Sequence, residues 1–288
     1  MSICIGVVSP GAMGSALGRA WRRGGARVVA TVAGRSPRTA TLAADAGLEL
    51  LADLDAVVRA ADIVVSVGPP DQALAIAGTI ADVAARNAVT PLVADLNAVA
   101  PATVERIAEA VAGAGLELVD GAISGPPPAD GIRTILYLSG PDAHRLAALD
   151  APNIDARVVG DRPGQASAVK MCTASVYKGF NALLVQALLT ARQHDCVDVV
   201  LADLADAFDG WEEQLPRSIA LAASKSARYV GEMREISATQ GAAGARPELF
   251  AAMAEVWTMV AGRELAQHTP EEAARTRSLN DVLSALAR

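Results

Sequence analysis

Short apolar runs alternate with segments of helical periodicity through the first half of the chain. Runs of Val, Ile and Leu bounded by turn residues predict buried strands, whereas apolar positions three and four apart predict helices. This alternation predicts βαβ units and a mostly parallel, doubly wound sheet with helices on both faces. The predicted strands are 3–8, 27–32, 62–67, 92–95, 116–123, 134–138 and 157–159, and the predicted helices are 12–23, 38–46, 53–60, 71–86, 101–114 and 141–149.

The pattern changes after the Arg-Pro-Gly sequence at 162–164. Residues 165–193 contain no proline and one glycine, and they predict a single helix of roughly 43 Å at about 1.5 Å per residue. Further helices are predicted at 197–208, 211–231, 247–265 and 271–287, with breaks at Gly210, at 241–244 and at Thr269-Pro270. We therefore predict an α/β domain at 1–161 and an all-α domain at 162–288, with the long helix between them.

The first predicted strand runs into a tight turn, Ser9-Pro10-Gly11-Ala12-Met13-Gly14, and then into a helix. A strand, a glycine turn and a helix N-terminus form the phosphate-binding half of a Rossmann-type fold, because the turn admits a pyrophosphate and the free N–H groups hold its charge. Ser9 stands where the G-x-G-x-x-G pattern has its first glycine. An ordinary strand–turn–helix remains the alternative, since so short a motif needs its context.

The end of the second predicted strand indicates which nucleotide binds. In this fold an acidic residue there contacts the 2′-hydroxyl of NAD, and an arginine accommodates the 2′-phosphate of NADP. This chain has Gly34-Arg35-Ser36 and no carboxylate at that point. The guanidinium and the hydroxyl suit a phosphate monoester, so NADP(H) is favoured over NAD(H). The alternative is that Arg35 is a solvated loop charge.

The long predicted helix carries the strongest acid/base candidate. Lys170, Ala174, Tyr177 and Asn181 are four, three and four residues apart and share one face, and Thr173 flanks that face. Lys170 lies in an apolar setting suited to a proton donor or acceptor. On spacing alone, a lysine with a buried stem and a solvated head is the favoured interpretation.

Three further segments lie at the predicted strand ends, where ligands of such sheets bind. The segment Asp120 to Pro126 offers the Ser124 hydroxyl and the Gly125 backbone to a carboxylate. Asn97 is placed to bond a substrate or a nicotinamide amide, or else to cap the following helix. The stiff turn Val67-Gly68-Pro69 is placed to pack against a cofactor.

Composition argues against several other classes of protein. The chain has 288 residues, of which 52% are hydrophobic and 20% charged, and a formal net charge of −7 that argues against nucleic-acid binding. No apolar stretch approaches the roughly 20 residues that span a bilayer, and no signal peptide is evident. Cys4, Cys172 and Cys196 lack metal-like spacing, so we expect no metal site and a reducing, cytoplasmic location.

In this order the motifs resemble the β-hydroxyacid dehydrogenase family, which includes 3-hydroxyisobutyrate and 6-phosphogluconate dehydrogenases. Residues 6–14 are similar to its G-x-x-G-x-G-x-M-G signature, residues 120–126 to its D-A-P-V-S-G-G segment, and residues 163–174 to G-x-G-x-x-x-K-x-x-N-N. The resemblance covers nearly the whole chain and places Lys170 on the catalytic lysine. Met233-Arg234-Glu235-Ile236 is similar to M-x-K-D-L with one residue deleted, and this resemblance gives Arg234 the basic, carboxylate-contacting position.

The chain also departs from this family at several motif positions. Ser9, Pro126 and Ala166 replace glycines, and Thr173 and Ala174 replace the paired asparagines that orient the substrate and the lysine. The resemblance therefore implies a divergent branch whose substrate is not one of the standard small hydroxyacids.

Together these features predict an NADP(H)-dependent oxidoreductase that acts on a carbinol or carbonyl of a small hydroxyacid-like substrate. The implied substrate-binding residues are Ser124, Gly125, Lys170, Thr173 and Arg234. The alternatives are an imine reductase or reductive aminase with Tyr177 as proton donor, and a non-catalytic NADP-binding regulator. A homodimer with interlocked C-terminal helices is expected, in which Leu183, Leu184, Ala187 and Leu188 contact the second subunit.

Overall fold

The computed structural model describes residues 2–207, 214–276 and 278–287. They form two compact units that divide between Met171 and Cys172. The boundary predicted from the sequence lies ten residues earlier, near the start of the long helix, because composition changes there.

The first unit contains an eight-stranded sheet among its described residues. The strands are β1 (Cys4–Val7), β2 (Arg27–Ala30), β3 (Glu49–Leu50), β4 (Ile63–Ser66), β5 (Leu92–Asp95), β6 (Leu118–Ser124), β7 (Thr134–Ser139) and β8 (Ile154–Gly160). Their order is β3-β2-β1-β4-β5-β6-β7-β8, and every pair is parallel except β6 with β7. The predicted Rossmann-type, doubly wound sheet is confirmed.

Helices of the first unit bury both faces of this sheet. They are α1 (Ala12–Arg23), α2 (Pro37–Asp45), α3 (Leu54–Ala60), α4 (Ala73–Asn87), α5 (Pro101–Ala112) and α6 (Ala143–Ala147), and a short 3₁₀ helix spans Pro70–Gln72. Val65 packs in one apolar cluster with Leu17 and Trp21, whereas its neighbour Val64 packs in another with Ile80 and Ile107. Successive strand residues point to opposite faces, so two separate cores result.

The sequence pattern missed β3. Glu49 and Leu50 are both exposed, and two residues carry no periodicity that distinguishes a strand from a loop. Backbone pairing with Val29 and Ala30 alone makes this segment a strand at the edge of the sheet.

The helix α7 (Gln165–Gln193) has the predicted bounds. The second unit continues with α8 (Val197–Ala207), α9 (Leu215–Ala223), α10 (Ser226–Ala242), α11 (Glu248–Ala261), a 3₁₀ helix at Glu264–Gln267, α12 (Pro270–Ala273) and α13 (Leu279–Ala287). Because its regular structure is helical, the predicted all-α domain is confirmed. Among the helices of the described residues, none combines the length and the apolar character that a membrane crossing requires.

The predicted single helix at 211–231 is wrong where the structure describes it. Its first residues and the predicted break at Gly210 lie outside the described residues. The chain instead ends α9 at Ala223, where the Ser224 hydroxyl donates to the Leu221 carbonyl at 3.0 Å, and then runs helically to Ala242. Burial of Met233 and Ile236 carries α10 past the predicted end.

Two of the four residues predicted to contact a second subunit point elsewhere. Leu184 and Leu188 are buried within their own chain, whereas Leu183 is 59% exposed. Ala187 is also exposed. Residues one position apart on a helix lie about 100° apart, so the contiguous apolar run covers two faces of α7.

Candidate functional site

The turn after β1 is held by its own backbone. The Gly11 N–H donates to the Ser9 carbonyl at 2.9 Å, and the Ser15 hydroxyl donates to the Pro10 carbonyl at 2.6 Å. A Cβ atom on Gly14 would collide with the Ser9 carbonyl oxygen. The last glycine of the motif is therefore required for the turn to close over the start of α1.

The N-terminus of α1 fits a dinucleotide pyrophosphate. Among the described residues no side chain caps this end, and no acidic residue lies in its first turn. A Cβ built on Gly11 meets no atom within 4 Å, so the space beside the turn is open. Ala12 is exposed and Met13 is half-buried. Uncapped N–H groups beside open space suit a bound anion.

The loop after β2 places a cation beside this turn. Gly34 has φ +69°, a conformation that favours glycine, and the Arg35 N–H donates to the Val32 carbonyl at 3.0 Å. The Arg35 guanidinium donates to the Ser9 hydroxyl at 3.2 Å. Two predicted cofactor residues thus lie in contact, although they are 26 positions apart.

Ser36 has a local structural task. It is the N-cap of α2, and its hydroxyl oxygen accepts the Thr39 N–H at 3.3 Å. A further cation, Arg38, was not predicted from the sequence; it lies exposed in the first turn of α2, where no acidic residue is present. A basic residue at a helix N-terminus is unfavourable beside the positive end of the helix dipole unless an anion binds there. The position of Arg38 could therefore have indicated an anion-binding residue from the sequence.

Asn97 organises the turn after β4. Its side-chain amide donates to the Ser66 hydroxyl at 3.0 Å and to the Asp95 carboxylate at 2.7 Å, and its carbonyl oxygen accepts the Gly68 N–H at 2.5 Å. Capping of the following helix is not observed, since the N-cap of α5 is Ala100. Asn97 therefore acts on the Val67-Gly68-Pro69 turn, in which Pro69 is exposed.

Four buried polar residues form a row across the sheet. Ser66, Asp95, Asp120 and Ser139 pair in register on β4, β5, β6 and β7. Burial raises the pKa of Asp95 to about 6, and the nearby Asp120 carboxylate adds to the rise, while hydrogen bonds from Asn97 oppose it. The row joins the predicted cofactor turn to the start of α7.

Asp120 caps α7 from a distant strand. Its carboxylate accepts the N–H groups of Gly164 at 2.8 Å and of Ser167 at 3.0 Å, and the Ser167 hydroxyl at 2.6 Å. The Ser139 hydroxyl donates to the same carboxylate at 3.0 Å and accepts the Ala166 N–H at 3.0 Å. A carboxylate at a helix N-terminus is stabilised by the N–H groups and the dipole.

This role of Asp120 was not predicted from the sequence. The sequence offers only indirect evidence for it. The residues before α7 are Arg162, Pro163 and Gly164, so no side chain of the usual capping type directly precedes the helix. A long helix without a local cap indicates that a distant group supplies one.

Lys170 and Ser124 come together. The Lys170 Nζ donates to the Ile123 carbonyl at 2.8 Å, directly before Ser124. Ser124 is half-buried at the end of β6, and Gly125 follows with φ +114°, which only glycine adopts readily. An ammonium, a hydroxyl and an adjacent turn can bind a carboxylate or an alkoxide.

The remaining predicted site residues lie in the second unit. Tyr177 is 71% exposed on α7, and Arg234 is exposed on α10. Thr173 is half-buried, and Ala174 is buried and offers no polar group. Another lysine of α7, Lys178, forms an ion pair with Glu232 and lies 4.7 Å from the centre of the Tyr229 ring. Its role is structural.

No group of three or more His, Cys, Asp or Glu side chains suited to a metal ion occurs within the described ranges. The candidate site in the first unit consists of three features: the uncapped turn, the Arg35 loop and the Lys170–Ser124 pair.

Two family models match the chain. Residues 4–150, just over half of its length, match the NAD-binding domain of 6-phosphogluconate dehydrogenase. Residues 191–260 match a domain of unknown function, DUF1932. The first match covers the turn, the Arg35 loop and the β6 segment, whereas the second lies wholly within the second unit.

Individual proteins are also similar to this chain. An uncharacterized 28.5 kDa protein in the 7S RNA 5′ region of Methanothermus fervidus is 28% identical over 177 residues, which are 61% of this chain and 66% of that protein. The chain thus spans just under two thirds of this relative. A solved conserved protein of unknown function, described as structurally similar to 3-hydroxyacid dehydrogenases, is 25% identical with a TM-score of 0.69, over 90% of this chain and 97% of that one.

More distant solved structures share the fold. The 3-hydroxyisobutyrate dehydrogenase of Mycobacterium tuberculosis, solved with L-serine, has a TM-score of 0.70 at 18% identity over the full length of both chains. An imine reductase variant from Myxococcus stipitatus, solved with NAD⁺, has a TM-score of 0.58 at 18% identity, also over both full chains. At this identity the likeness concerns the fold, which serves both chemistries.

Proposed function

The chain belongs to the family defined by the NAD-binding domain of 6-phosphogluconate dehydrogenase, and from this premise we propose that it is an NADP(H)-dependent oxidoreductase. It interconverts a carbinol and a carbonyl on a small, hydroxyacid-like molecule. The observation that best supports the proposal is the hydrogen bond from the Lys170 Nζ to the Ile123 carbonyl, because it brings the lysine close to Ser124 and the turn at Gly125.

Lys170 is the acid/base of the proposed reaction. In oxidation its neutral Nζ takes the hydroxyl proton of the substrate, and in reduction its ammonium returns that proton to the developing alkoxide. The Ile123 carbonyl keeps the lysine head near the end of β6, and the Asp120 cap keeps the first turn of α7 in place. Both contacts restrict the lysine side chain in advance, so less conformational entropy is lost when it reaches the reactive geometry.

Ser124 and the backbone at Gly125 bind the carboxylate of the substrate, or an equivalent acceptor. The buried Ala174 cannot replace the amide of the family motif, so the substrate class departs from that of the standard enzymes. The related fold solved with L-serine supports a small molecule that carries both a hydroxyl and a carboxylate.

The cofactor binds along the turn Ser9 to Gly14, the Val67-Gly68-Pro69 turn that Asn97 holds, and the loop Gly34-Arg35-Ser36. When bound, its nicotinamide supplies or accepts the hydride. The uncapped α1 N-terminus receives the pyrophosphate. The uncompensated charge of Arg35 favours the 2′-phosphate of NADP(H) over the bare hydroxyl of NAD(H).

A screen of hydroxyacids and carbonyl acids, followed by the absorbance of the reduced nicotinamide, tests the reaction. It is run with the phosphorylated and the unphosphorylated cofactor in parallel. Turnover of a hydroxyacid with NADP(H), lost in K170M, supports the proposal. Tight NADPH binding without turnover of any compound would instead support a non-catalytic regulator.

The same screen includes cyclic imines, because imine reductases share this fold. The exposed Tyr177 hydroxyl is the proton donor in that second candidate function. Reduction of imines that is lost in Y177F and retained in K170M would replace the first candidate by the second.

A homodimer through the second unit is also proposed. Val176, Tyr177 and Leu183 are each more than half exposed on α7, and an exposed apolar stripe of this kind suits a second copy of the chain. Light scattering at micromolar concentration tests this, and a monomeric mass would contradict it.

A further inference from the structure

Ser9 occupies an unusual position in the nucleotide turn. The fingerprint has glycine there, and this chain has a half-buried serine two residues after the end of β1. Its carbonyl accepts the Gly11 N–H and so takes part in the turn, as a glycine carbonyl would. Its hydroxyl makes a contact that glycine could not make, because it accepts a hydrogen bond from the Arg35 guanidinium at 3.2 Å.

Several arginines of the first unit, although not all of them, form ion pairs with carboxylates. The pairs are Arg23 with Asp130, Arg27 with Glu49, Arg86 with Asp55, and Arg157 with Asp155. Among the described residues, Arg35 forms no such ion pair. Its partner is a neutral hydroxyl, which fixes the direction of the guanidinium and leaves its charge available to an anion.

The backbone around Arg35 is fixed as well. Gly34 turns the chain at φ +69°, and the Arg35 N–H is bonded to the Val32 carbonyl. The remaining freedom is that of the long side chain, and an exposed arginine loses this freedom when it binds a ligand. Because the hydrogen bond to Ser9 already restricts the Arg35 side chain, ligand binding costs less conformational entropy.

We propose that Ser9 is a positioning residue that selects the phosphorylated cofactor through Arg35. It holds the guanidinium at the end of β1, in the pose that receives a phosphate monoester on the adenosine ribose. This inference rests on the proposed NADP(H) dependence. It adds that the departure of Ser9 from the glycine fingerprint is itself a specificity determinant.

The test measures dissociation constants of NADPH and NADH by fluorescence titration of the full chain, so no substrate is needed. In R35A, NADPH binding should weaken by about thirtyfold and NADH binding should change little. In S9A, NADPH binding should weaken by about fivefold, again with NADH nearly unchanged. S9G, which restores the fingerprint glycine, should behave as S9A does.

A double-mutant cycle gives the deciding measurement. In the R35A background, S9A should cause no further loss of NADPH affinity, because Ser9 acts through Arg35. T79A removes a hydroxyl from the exposed face of α4 and serves as the matched control, with both affinities unchanged.

The outcomes separate the two proposals. Equal NADPH and NADH binding in the wild type overturns the NADP(H) proposal and the Ser9 proposal with it, whereas an R35A variant without selective loss overturns the roles of Arg35 and Ser9. A selective loss in R35A, together with S9A and S9G variants that bind NADPH normally or lose both nucleotides equally, overturns the role of Ser9 alone.

Discussion

The Nζ of Lys170 donates a hydrogen bond to the carbonyl oxygen of Ile123 at 2.8 Å, across 47 positions of sequence. This bond joins the first turns of a long helix to the end of the β6 strand. It places the lysine beside Ser124, the residue proposed to bind the carboxylate of the substrate. The proposed proton transfer and the proposed carboxylate binding both depend on this pair.

Replacement of Lys170 by methionine should reduce turnover by about 10³-fold and leave the NADPH dissociation constant unchanged, because the lysine acts on the proton of the substrate. K170R is the matched variant. Its guanidinium can bond to the Ile123 carbonyl, but it cannot release a proton near neutral pH. Steady-state kinetics on the substrate from the screen should therefore show K170R nearly as inactive as K170M. Normal turnover in either variant removes the lysine from the mechanism.

Replacement of Asp120 by asparagine should destabilise the protein by about 2–4 kcal/mol, since a buried group that accepts several hydrogen bonds loses its charge and half of its acceptor oxygens. Urea unfolding followed by circular dichroism measures the change. The comparison is D155N, which removes a more exposed carboxylate that pairs with Arg157 and should cost less than about 1 kcal/mol. Equal losses in the two variants would show that the cap on α7 adds nothing.

The buried Asp95 should make stability fall as the pH rises. Its pKa is about 6 in the folded chain against an ordinary 3.8, so the folded state holds the proton more tightly than the unfolded state does. The free energy of unfolding, relative to D95N, should therefore decrease by up to roughly 3 kcal/mol between about pH 4 and about pH 6, and stay level above that.

Other carboxylates, such as Glu49 and Asp155, have a lowered pKa and therefore give stability the opposite pH dependence. Their contributions are the same in D95N and in the wild type, so they cancel when the two free energies of unfolding are subtracted. Urea unfolding of both proteins at several pH values gives the difference directly. A difference that does not vary with pH over this range would mean that folding leaves the pKa of Asp95 unchanged.

Replacement of Gly14 by alanine should destabilise the turn by about 1–3 kcal/mol, because the new Cβ collides with the Ser9 carbonyl oxygen. It should also weaken the binding of both cofactors, since backbone must shift where the pyrophosphate is held. G11A is the matched control for stability, as its Cβ meets open space, and thermal unfolding compares the two. A G14A variant no less stable than G11A would show that the turn relaxes without cost.

Local patterns along the chain by themselves determined much of this protein. The strand–helix alternation, the turn at 9–14 and the bounds of α7 follow from periodicity and from turn residues that act on their immediate neighbours. These features predicted the doubly wound sheet, the helical second half and the candidate positions Arg35, Ser124 and Lys170. The two-residue β3 strand and the division between α9 and α10 were not predicted, because neither produces a periodic pattern of apolar residues.

Tertiary structure alone decided which of these residues meet. Strand register brings Asp95 beside Asp120, and the order of the strands brings the β2 loop to the β1 turn, where Arg35 reaches Ser9. The cap on α7 comes from a carboxylate 44 positions before Gly164. Such contacts depend on how distant segments pair in the sheet, whereas periodicity reports only on neighbours along one helix or strand. The sequence therefore identified the chemical groups of the candidate site, and the pairing of its strands arranged them.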